Sequence, residues 1–254
     1  MVNGLPSFEQ AVWHRSLASR LRDLARRMDV RELFPTVIPE ARDIVATDPY
    51  AFCLAACLDR RTKAEIIWTI PYDLQQALGH LDPFLIDQMS QPELAEAFSR
   101  LPRKPRYINA APRTIKELTH KVVHEFGGDA SRIWSGRSAE EVHKTFLSIY
   151  GVGPGIASMT VLLIEKGFGH SFAEPGRPAM DIKPDVHTMR VLYRLGVADS
   201  QTPGAAVAAA RRINPEFPGE IDGILWRIGQ AWCHPVTPDC AACPLDDLCH
   251  KVGL

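Results

Sequence analysis

The sequence predicts an all-α protein, and three observations support this. Along most of the chain, apolar residues recur at spacings of three and four, which is the period of an amphipathic helix. No hairpin dipeptide separates alternating strand patterns. A capping-box pattern, Ser138 followed by Glu141, marks the start of one apolar-periodic stretch. The periodicity predicts helices over residues 8–28, 49–58, 63–78, 92–101, 114–126, 139–150, 156–166, 186–195, 203–213 and 220–233.

The composition is that of an ordinary globular protein. The chain has 254 residues, of which 46% are hydrophobic, so it is long enough for one large domain or two small ones. No apolar run reaches the length of a membrane span, and the N-terminal segment lacks the pattern of a secretory signal. We therefore expect a cytoplasmic protein, associated with the nucleoid if the source is bacterial, with no membrane partner.

Positive charge is concentrated in one segment. The net charge is only -1, which argues against a protein held on nucleic acid by its overall charge. Between Arg100 and Lys116, however, there are six basic residues and no acidic one. A solvated surface is one interpretation of this segment, and contact with a polyanion is the other.

Four of the six cysteines lie in the last 22 residues, with the spacing C-x6-C-x2-C-x5-C. They are Cys233, Cys240, Cys243 and Cys249. Because disulfides are rare in a reducing compartment, clustered thiols there point to metal. Structural zinc sites usually pair two short C-x2–4-C knuckles, and only one short pair exists here. Four thiolates in one compact loop favour a [4Fe-4S] cluster over zinc.

The other two cysteines, Cys53 and Cys57, are four residues apart in an apolar stretch. One face of a helix would bury both, so they are predicted to fill the core.

A glycine-rich turn joins two predicted helices. Gly151, Gly153 and Gly155 lie between the 139–150 and 156–166 stretches. Glycines at alternate positions permit positive φ and leave backbone N–H groups open at a helix N-terminus, where an anion such as a DNA phosphate is favoured. Downstream, Asp185 follows Pro184 and precedes an apolar-periodic helix, so it is predicted to be an N-cap.

These three features together resemble the endonuclease III-like branch of the helix-hairpin-helix (HhH-GPD) DNA glycosylase superfamily. The cysteine spacing is similar to the cluster loop of that family, and Ile149-Tyr150-Gly151-Val152-Gly153 is similar to its hairpin pattern. The segment Asp185-Val186-His187-Thr188-Met189-Arg190-Val191 is similar to the segment that holds the family's catalytic aspartate. The resemblance runs from about residue 48 to the last cysteine.

The resemblance implies a bilobed all-α fold. A six-helix barrel domain would span residues 42–165 and include the helix-hairpin-helix at about 139–165. A helical [4Fe-4S] cluster domain would combine residues 1–41 with residues 166–254, and its cluster loop would be 233–249.

The resemblance also assigns roles to single residues. Asp185 would be the catalytic carboxylate, with Asp181 as the nearby competitor. The backbone of Gly151, Val152, Gly153 and Gly155 would bind DNA phosphate. The four cysteines of the loop would ligate the cluster, whose role would be mainly structural.

The sequence departs from the family at three positions. Members that also nick the backbone use a lysine just after the hairpin turn, and that position here is Gly155. The adenine-mismatch branch uses a glutamate before a Gln-Gln-Thr segment, and Ala56 stands at the glutamate position here. Arg61 aligns with the family glutamine that fills the gap left by the flipped base, and a surface arginine at a helix end is the alternative interpretation.

We therefore predict a base excision repair glycosylase that hydrolyses the N-glycosidic bond of a damaged or mispaired base, with AP lyase activity weak or absent. Its partner would be double-stranded DNA containing a lesion or mismatch, and the chain would act as a monomer. The basic segment is predicted to contact DNA through Lys104 and Arg106. The alternatives are a bifunctional glycosylase/AP lyase on oxidised pyrimidines and a non-catalytic iron–sulfur DNA-binding damage sensor.

Two features are expected to bear on which base is removed. Four aromatic residues, Trp68, Tyr72, Tyr107 and Trp134, are candidates to line the lesion pocket. The segment 169–184, before the catalytic aspartate, either borders that pocket or forms a surface loop.

Overall fold

The computed structural model describes residues 8–173, 177 and 180–254, and all regular secondary structure in these residues is helical. The α-helices are α1 Phe8–Arg27, α2 Val30–Leu33, α3 Pro39–Thr47, α4 Pro49–Leu58, α5 Ala64–Ile67, α6 Ile70–Leu78, α7 Pro83–Gln88, α8 Gln91–Arg100, α9 Ala111–Phe126, α10 Ala139–Leu147, α11 Pro154–Gly167, α12 Val186–Leu195, α13 Pro203–Ile213 and α14 Asp222–Ala231. The predicted all-α class is thus confirmed. None of the described helices combines the length and apolarity that a bilayer span requires.

Proline explains the largest departure from the predicted helices. The predicted helix 63–78 is divided into α5 and α6, with Trp68 and Thr69 between them. Pro71 lies in the first turn of α6, where its missing N–H is not needed, whereas the interior of one long helix would have lost a hydrogen bond there. The short helices α2, α3 and α7 were not predicted.

The described chain divides into two compact units. The first comprises the described residues of Met1–Met28 and Pro175–Leu254, and the second comprises those of Asp29–Glu174. These boundaries differ from the predicted 42 and 165, because Phe34 packs with the second unit. Its ring centroid is 5.3 Å from that of Trp68, and a Cβ on Gly167 would overlap its ring.

The second unit is built around α4. Asp48 caps this helix by accepting hydrogen bonds from the N–H groups of Tyr50 and Ala51, and every residue from Tyr50 to Leu58 is buried. As predicted, Cys53 and Cys57 lie in the core with no exposed surface. Burial raises the pKa of both thiols, so they remain protonated and pack as small apolar groups.

An aromatic cluster surrounds the centre of α4. It contains Phe34, Phe52, Trp68, Trp134 and Phe168, with ring centroids 5.0–6.2 Å apart. Trp68 and Trp134 are 2% and 4% exposed, so two of the four aromatic residues suggested for a lesion pocket are instead core residues. Tyr107 is exposed.

The first unit packs α12 against α14, with α1 and α13 completing its core. Leucines and isoleucines of these helices are fully buried there, among them Leu17, Leu192 and Leu225. Gly229 allows the closest approach, because a Cβ at this position would lie 2.6 Å from the Cβ of His187. The start of α12 is therefore held directly against α14.

Candidate functional site

Asp185 is the N-cap of α12, as predicted from its position. Its Oδ1 accepts hydrogen bonds from the N–H groups of His187 and Thr188, at 2.8 and 2.9 Å. The Thr188 hydroxyl oxygen in turn accepts from the Asp185 N–H at 2.9 Å. Oδ2 accepts no hydrogen bond from the described residues, and the side chain is partly exposed. The carboxylate is thus fixed through one oxygen and presents the other.

Asp181, the nearby competitor, has a different environment. Both of its carboxylate oxygens accept hydrogen bonds from Arg211, at 2.7 and 2.6 Å. This bidentate pair raises the pKa of Arg211 and engages the whole carboxylate. Of the two aspartates, only Asp185 has an oxygen available for a substrate.

The arginine of the aspartate segment holds α12 in place. Arg190 is buried and donates to the carbonyls of Cys233, Gly229 and Val186, at 2.6, 2.8 and 3.0 Å. The same guanidinium lies 3.2 Å from Nδ1 of His187. Burial lowers the pKa of Arg190. Arg190 therefore joins the helix that begins at Asp185 to the start of the cysteine loop.

The segment 169–184 is described only in part. Residues 174–176 and 178–179 lie outside the described residues, and the prediction that this segment borders the lesion pocket falls partly on them. At its C-terminal end, Met180 and Ile182 are buried. The N–H of Lys183 donates to Oδ1 of Asp222 at 3.0 Å, which fixes the backbone two residues before Asp185.

The four cysteines of the C-terminal loop line one cavity. Apolar side chains form much of the remaining wall, namely Val191, Leu195, Ile228, Trp232 and Leu245. All four thiols are free, and none is fully exposed. Side chains 16 residues apart in sequence, at Cys233 and Cys249, are thus brought to the same cavity.

Arg194 positions this loop. Its guanidinium donates to Sγ of Cys233 at 3.4 Å and to the carbonyls of His234 and Pro235 at 2.6 and 2.8 Å. The thiol of Cys249 donates to the carbonyl of Arg194 at 3.3 Å. One buried arginine therefore contacts both ends of the cysteine loop.

The donor set fits a metal cluster. Burial raises the pKa of Cys243 and Cys249, so thiolates at these positions need a nearby cation to offset their desolvation. No three of the four sulfurs lie within 4.8 Å of one another. A single zinc ion with Zn–S bonds of about 2.3 Å would hold its sulfurs ~3.8 Å apart, so the wider spacing suits a polynuclear cluster better than one ion.

The predicted hairpin connects α10 to α11 in the second unit. Ser138 and Glu141 form the predicted capping box of α10, with the Glu141 N–H donating to Ser138 Oγ at 3.2 Å and the Ser138 N–H donating to Glu141 Oε2 at 2.8 Å. Gly151 adopts the left-handed conformation with φ of +83°, whereas Gly153 does not. The side chain of Val152 is buried, and its N–H donates to the carbonyl of Ile149 at 3.1 Å, so neither its side chain nor its N–H is available to a ligand.

The N-terminus of α11 is suited to an anion. Gly153 is its N-cap and provides no side-chain cap, and Gly155 lies in the first turn after Pro154. No neighbouring atom lies within 4 Å of a Cβ built on Gly153, so space is open beside the turn. Uncapped N–H groups and the helix dipole both favour a negatively charged group there.

Arg60 supports the hairpin turn, and the sequence did not predict this role. Its guanidinium covers Gly151 so closely that a Cβ there would overlap it, and its Nη2 donates to the Thr114 hydroxyl at 3.0 Å. Thr114 donates onward to the carbonyl of Tyr150 at 3.0 Å, and Glu117 accepts from the Tyr150 N–H at 2.7 Å. The turn is therefore fastened to α9.

The basic segment contains one residue that forms an ion pair with a buried carboxylate and two that are exposed to solvent. Arg103 pairs with the buried Asp73, whereas Lys104 and Arg106 are exposed and have no carboxylate partner in the described chain. The Arg106 N–H donates to the Thr62 hydroxyl at 2.9 Å, which places this segment beside the loop that follows α4. Arg61 is exposed in that loop and has a φ of +51°.

Comparison with known proteins gives matches in structure alone. No protein-family model matches the chain, and no curated protein sequence matches it. A thermostable thymine-DNA glycosylase aligns with a TM-score of 0.59 and 19% identity, over 95% of this chain and 97% of that one.

Two endonuclease III structures align over 97% of both chains. A trapped endonuclease III–DNA covalent intermediate, the estranged-adenine complex, has a TM-score of 0.61 and 17% identity. A non-covalent endonuclease III–DNA complex has a TM-score of 0.60 and 16% identity. The chain therefore has the same fold as these endonuclease III and thymine-DNA glycosylase structures.

Proposed function

We propose that this protein is a DNA glycosylase of base excision repair, which hydrolyses the N-glycosidic bond of a damaged or mispaired base in double-stranded DNA. The observation that carries the proposal is the carboxylate of Asp185, held through Oδ1 at the start of α12 with Oδ2 unengaged. Solved structures of similar fold are a thymine-DNA glycosylase and endonuclease III bound to DNA.

One carboxylate is sufficient for this chemistry. Cleavage of an N-glycosidic bond builds positive charge on the sugar, as in glycoside hydrolysis. Oδ2 of Asp185 would face that charge and orient the attacking water. The target base must first leave the helical stack, which requires a side chain to fill the gap. Arg61 is our candidate for that side chain.

The protein is proposed to be monofunctional. Gly155 stands where a lyase lysine would be required, and the next lysine along α11 is Lys166, in the last turn of the helix. Eleven residues of helix correspond to ~16 Å, so this amine cannot replace the missing one. Borohydride reduction during the reaction tests the point, because a covalent DNA adduct would support the bifunctional alternative and its absence supports hydrolysis alone.

DNA is proposed to contact the second unit at three places. The first is the hairpin backbone at Gly151, Val152, Gly153 and Gly155, where the glycine N–H groups would meet a phosphate, because the N–H of Val152 already donates to the carbonyl of Ile149. The other two are Arg61 and the pair Lys104 and Arg106. The hydrogen bond from the Arg106 N–H to Thr62, the residue after Arg61, joins the segments that hold these residues. It supports the proposal that they contact the same stretch of DNA.

The four cysteines of the loop are proposed to hold a [4Fe-4S] cluster. The shared cavity and the wide spacing of the sulfurs support this assignment. When bound, such a cluster would crosslink the C-terminal loop, and Asp185 performs the chemistry. Through Arg190 and Arg194, the same loop holds the helix that presents Asp185.

The experiment is single-turnover cleavage of labelled duplexes that carry uracil, a thymine mismatch, an oxidised pyrimidine, an oxidised guanine or an alkylated purine. Each reaction is read with and without alkali. Breaks that appear only after alkali establish a monofunctional glycosylase, and breaks without alkali establish a lyase. Binding to lesion DNA without any breaks would favour the non-catalytic sensor and overturn the proposal.

A further inference from the structure

Two histidines and an aspartate meet in the second unit, away from the residues assigned above. His120 and His124 are one helical turn apart on α9, and Asp87 lies on α7. The ligand atoms of these three side chains all lie within 4.8 Å of one another, a grouping that occurs nowhere else among the described residues. The side chains of His120 and His124 are 65% and 53% exposed, so the group is open to solvent.

Asp87 carries an unsatisfied oxygen at the centre of this group. Its side chain is 15% exposed, and Oδ1 is buried without a hydrogen-bond partner. The nearest donors, His120 Nδ1 and Lys116 Nζ, are 3.6 and 3.9 Å away, which is too long for a hydrogen bond. A buried acceptor without a partner is destabilising, so Oδ1 is suited to a cation.

The arrangement matches the ligand chemistry of a first-row divalent metal ion. His124 Nε2 and Asp87 Oδ2 are 2.8 Å apart, and the two imidazole rings lie side by side with centroids 4.2 Å apart. Histidines four residues apart on a helix present their nitrogens on one face, as in known zinc sites. Two imidazoles and one carboxylate leave the fourth tetrahedral position to water.

We propose that Asp87, His120 and His124 form a binding site for Zn²⁺ or a similar divalent ion, which links α7 to α9. When the ion binds Nε2 of a neutral His124 imidazole, the hydrogen shared with Asp87 Oδ2 moves to Nδ1, so no proton is lost from the ring. The site is independent of the proposed glycosylase function and of the cysteine loop, which lies in the other unit.

The positive charge of Lys116 is expected to lower the affinity of this site for a metal ion. Its ammonium donates to the backbone carbonyl of Asp87 and lies 3.9 Å from Oδ1. A second positive charge at this distance weakens cation binding. Lys116→Gln is therefore expected to tighten Zn²⁺ binding, and unchanged or weaker binding would count against the site.

The test is calorimetric titration of the full-length, cluster-loaded protein with zinc chloride after chelator treatment. We compare wild type with His120→Gln/His124→Gln, two exposed changes that leave the core intact. His170→Gln is the control, because His170 is a histidine of the same unit outside the group. The double variant is expected to take up one zinc ion fewer, because it lacks two of the three ligands, and His170→Gln should behave as wild type.

Zinc that binds any cysteine loop left without a cluster would be common to all three proteins, so it does not affect the comparison. Equal uptake by wild type and the double variant would overturn the proposal. As a second readout, histidine nitrogen signals in NMR spectra are recorded during the titration with zinc alone. Shifts confined to His120 and His124 support the site, and an absence of shifts at both residues refutes it.

Discussion

The guanidinium of Arg60 lies over Gly151, in the only space that a side chain at position 151 would occupy. Gly151→Ala would therefore displace Arg60 as well as force alanine to a φ of +83°. The backbone change alone costs about 1–2 kcal/mol. Loss of the Arg60 bond to Thr114 adds about 1 kcal/mol, so the free energy of unfolding should fall by roughly 2–3 kcal/mol. Urea denaturation measures this change.

Gly79→Ala is the matched control for that experiment. Gly79 ends α6 at a φ of +79°, and nothing lies within 4 Å of a Cβ built there. It should show the backbone cost alone. If both variants lose the same stability, the contact between Arg60 and Gly151 contributes nothing.

Asp185→Asn should abolish base removal without unfolding the protein. The asparagine side-chain oxygen can still accept from the N–H groups of His187 and Thr188, so the cap of α12 is kept. The negative charge is lost, and we expect the single-turnover excision rate to fall by about 10²–10⁴-fold with little change in DNA affinity. Asp181→Asn serves as the control and should leave the rate near wild type. Wild-type excision by Asp185→Asn would refute the catalytic assignment.

The backbone conformation of Arg61 is expected to lower the stability of the protein, whereas its side chain is expected to strengthen DNA binding. An arginine with a φ of +51° is in the left-handed region, where a non-glycine residue costs about 1–2 kcal/mol relative to glycine. Arg61→Gly should therefore raise the free energy of unfolding by about 1 kcal/mol, whereas Arg61→Ala should not. Both should weaken binding to DNA with an abasic site. Unchanged affinity in both variants would exclude a role in filling the gap.

Lys104 and Arg106 should control the salt dependence of DNA binding. Each phosphate contact that is lost lowers the slope of log affinity against log salt by about 0.9. Lys104→Gln/Arg106→Gln should thus flatten the slope by roughly 2 and weaken binding to all sequences alike. Arg100→Gln is the comparison, because Arg100 already pairs with Glu96 on an exposed helix surface. An unchanged slope in the double variant would place these two residues away from DNA.

Arg194→Lys should loosen the cysteine loop. Lysine cannot make the contacts of Arg194 with Cys233 Sγ and the carbonyls of His234 and Pro235 at the same time. We expect metal affinity to fall by about 10–100-fold, measured as iron per chain after exposure to a chelator. Arg211→Lys, which alters only the pair with Asp181, should retain its iron. Equal retention in both variants would show that Arg194 does not support metal binding.

Local signals in the sequence were sufficient to predict much of the molecule. The all-α class, the start of α10 at the capping box of Ser138 and the N-cap at Asp185 all follow from interactions between residues within four positions of one another. The four cysteines of the loop are similarly local, and their spacing predicts a metal site without knowledge of the fold. The glycine-rich turn could also be predicted from the sequence. Gly151 has a φ of +83°, a left-handed conformation in which glycine is the favoured residue.

Only the tertiary structure decided which distant side chains meet. Arg103 and Lys104 are adjacent and equally basic, yet Arg103 pairs with buried Asp73 and Lys104 is exposed. Trp68 joins the core, and Arg60 covers Gly151, 91 residues away in sequence. Such contacts depend on how whole helices pack, because burial and charge pairing are set by neighbours that no sequence period specifies. The sequence by itself therefore determined the chemical groups of the candidate site, and the packing of the helices determined which of them are open to a ligand.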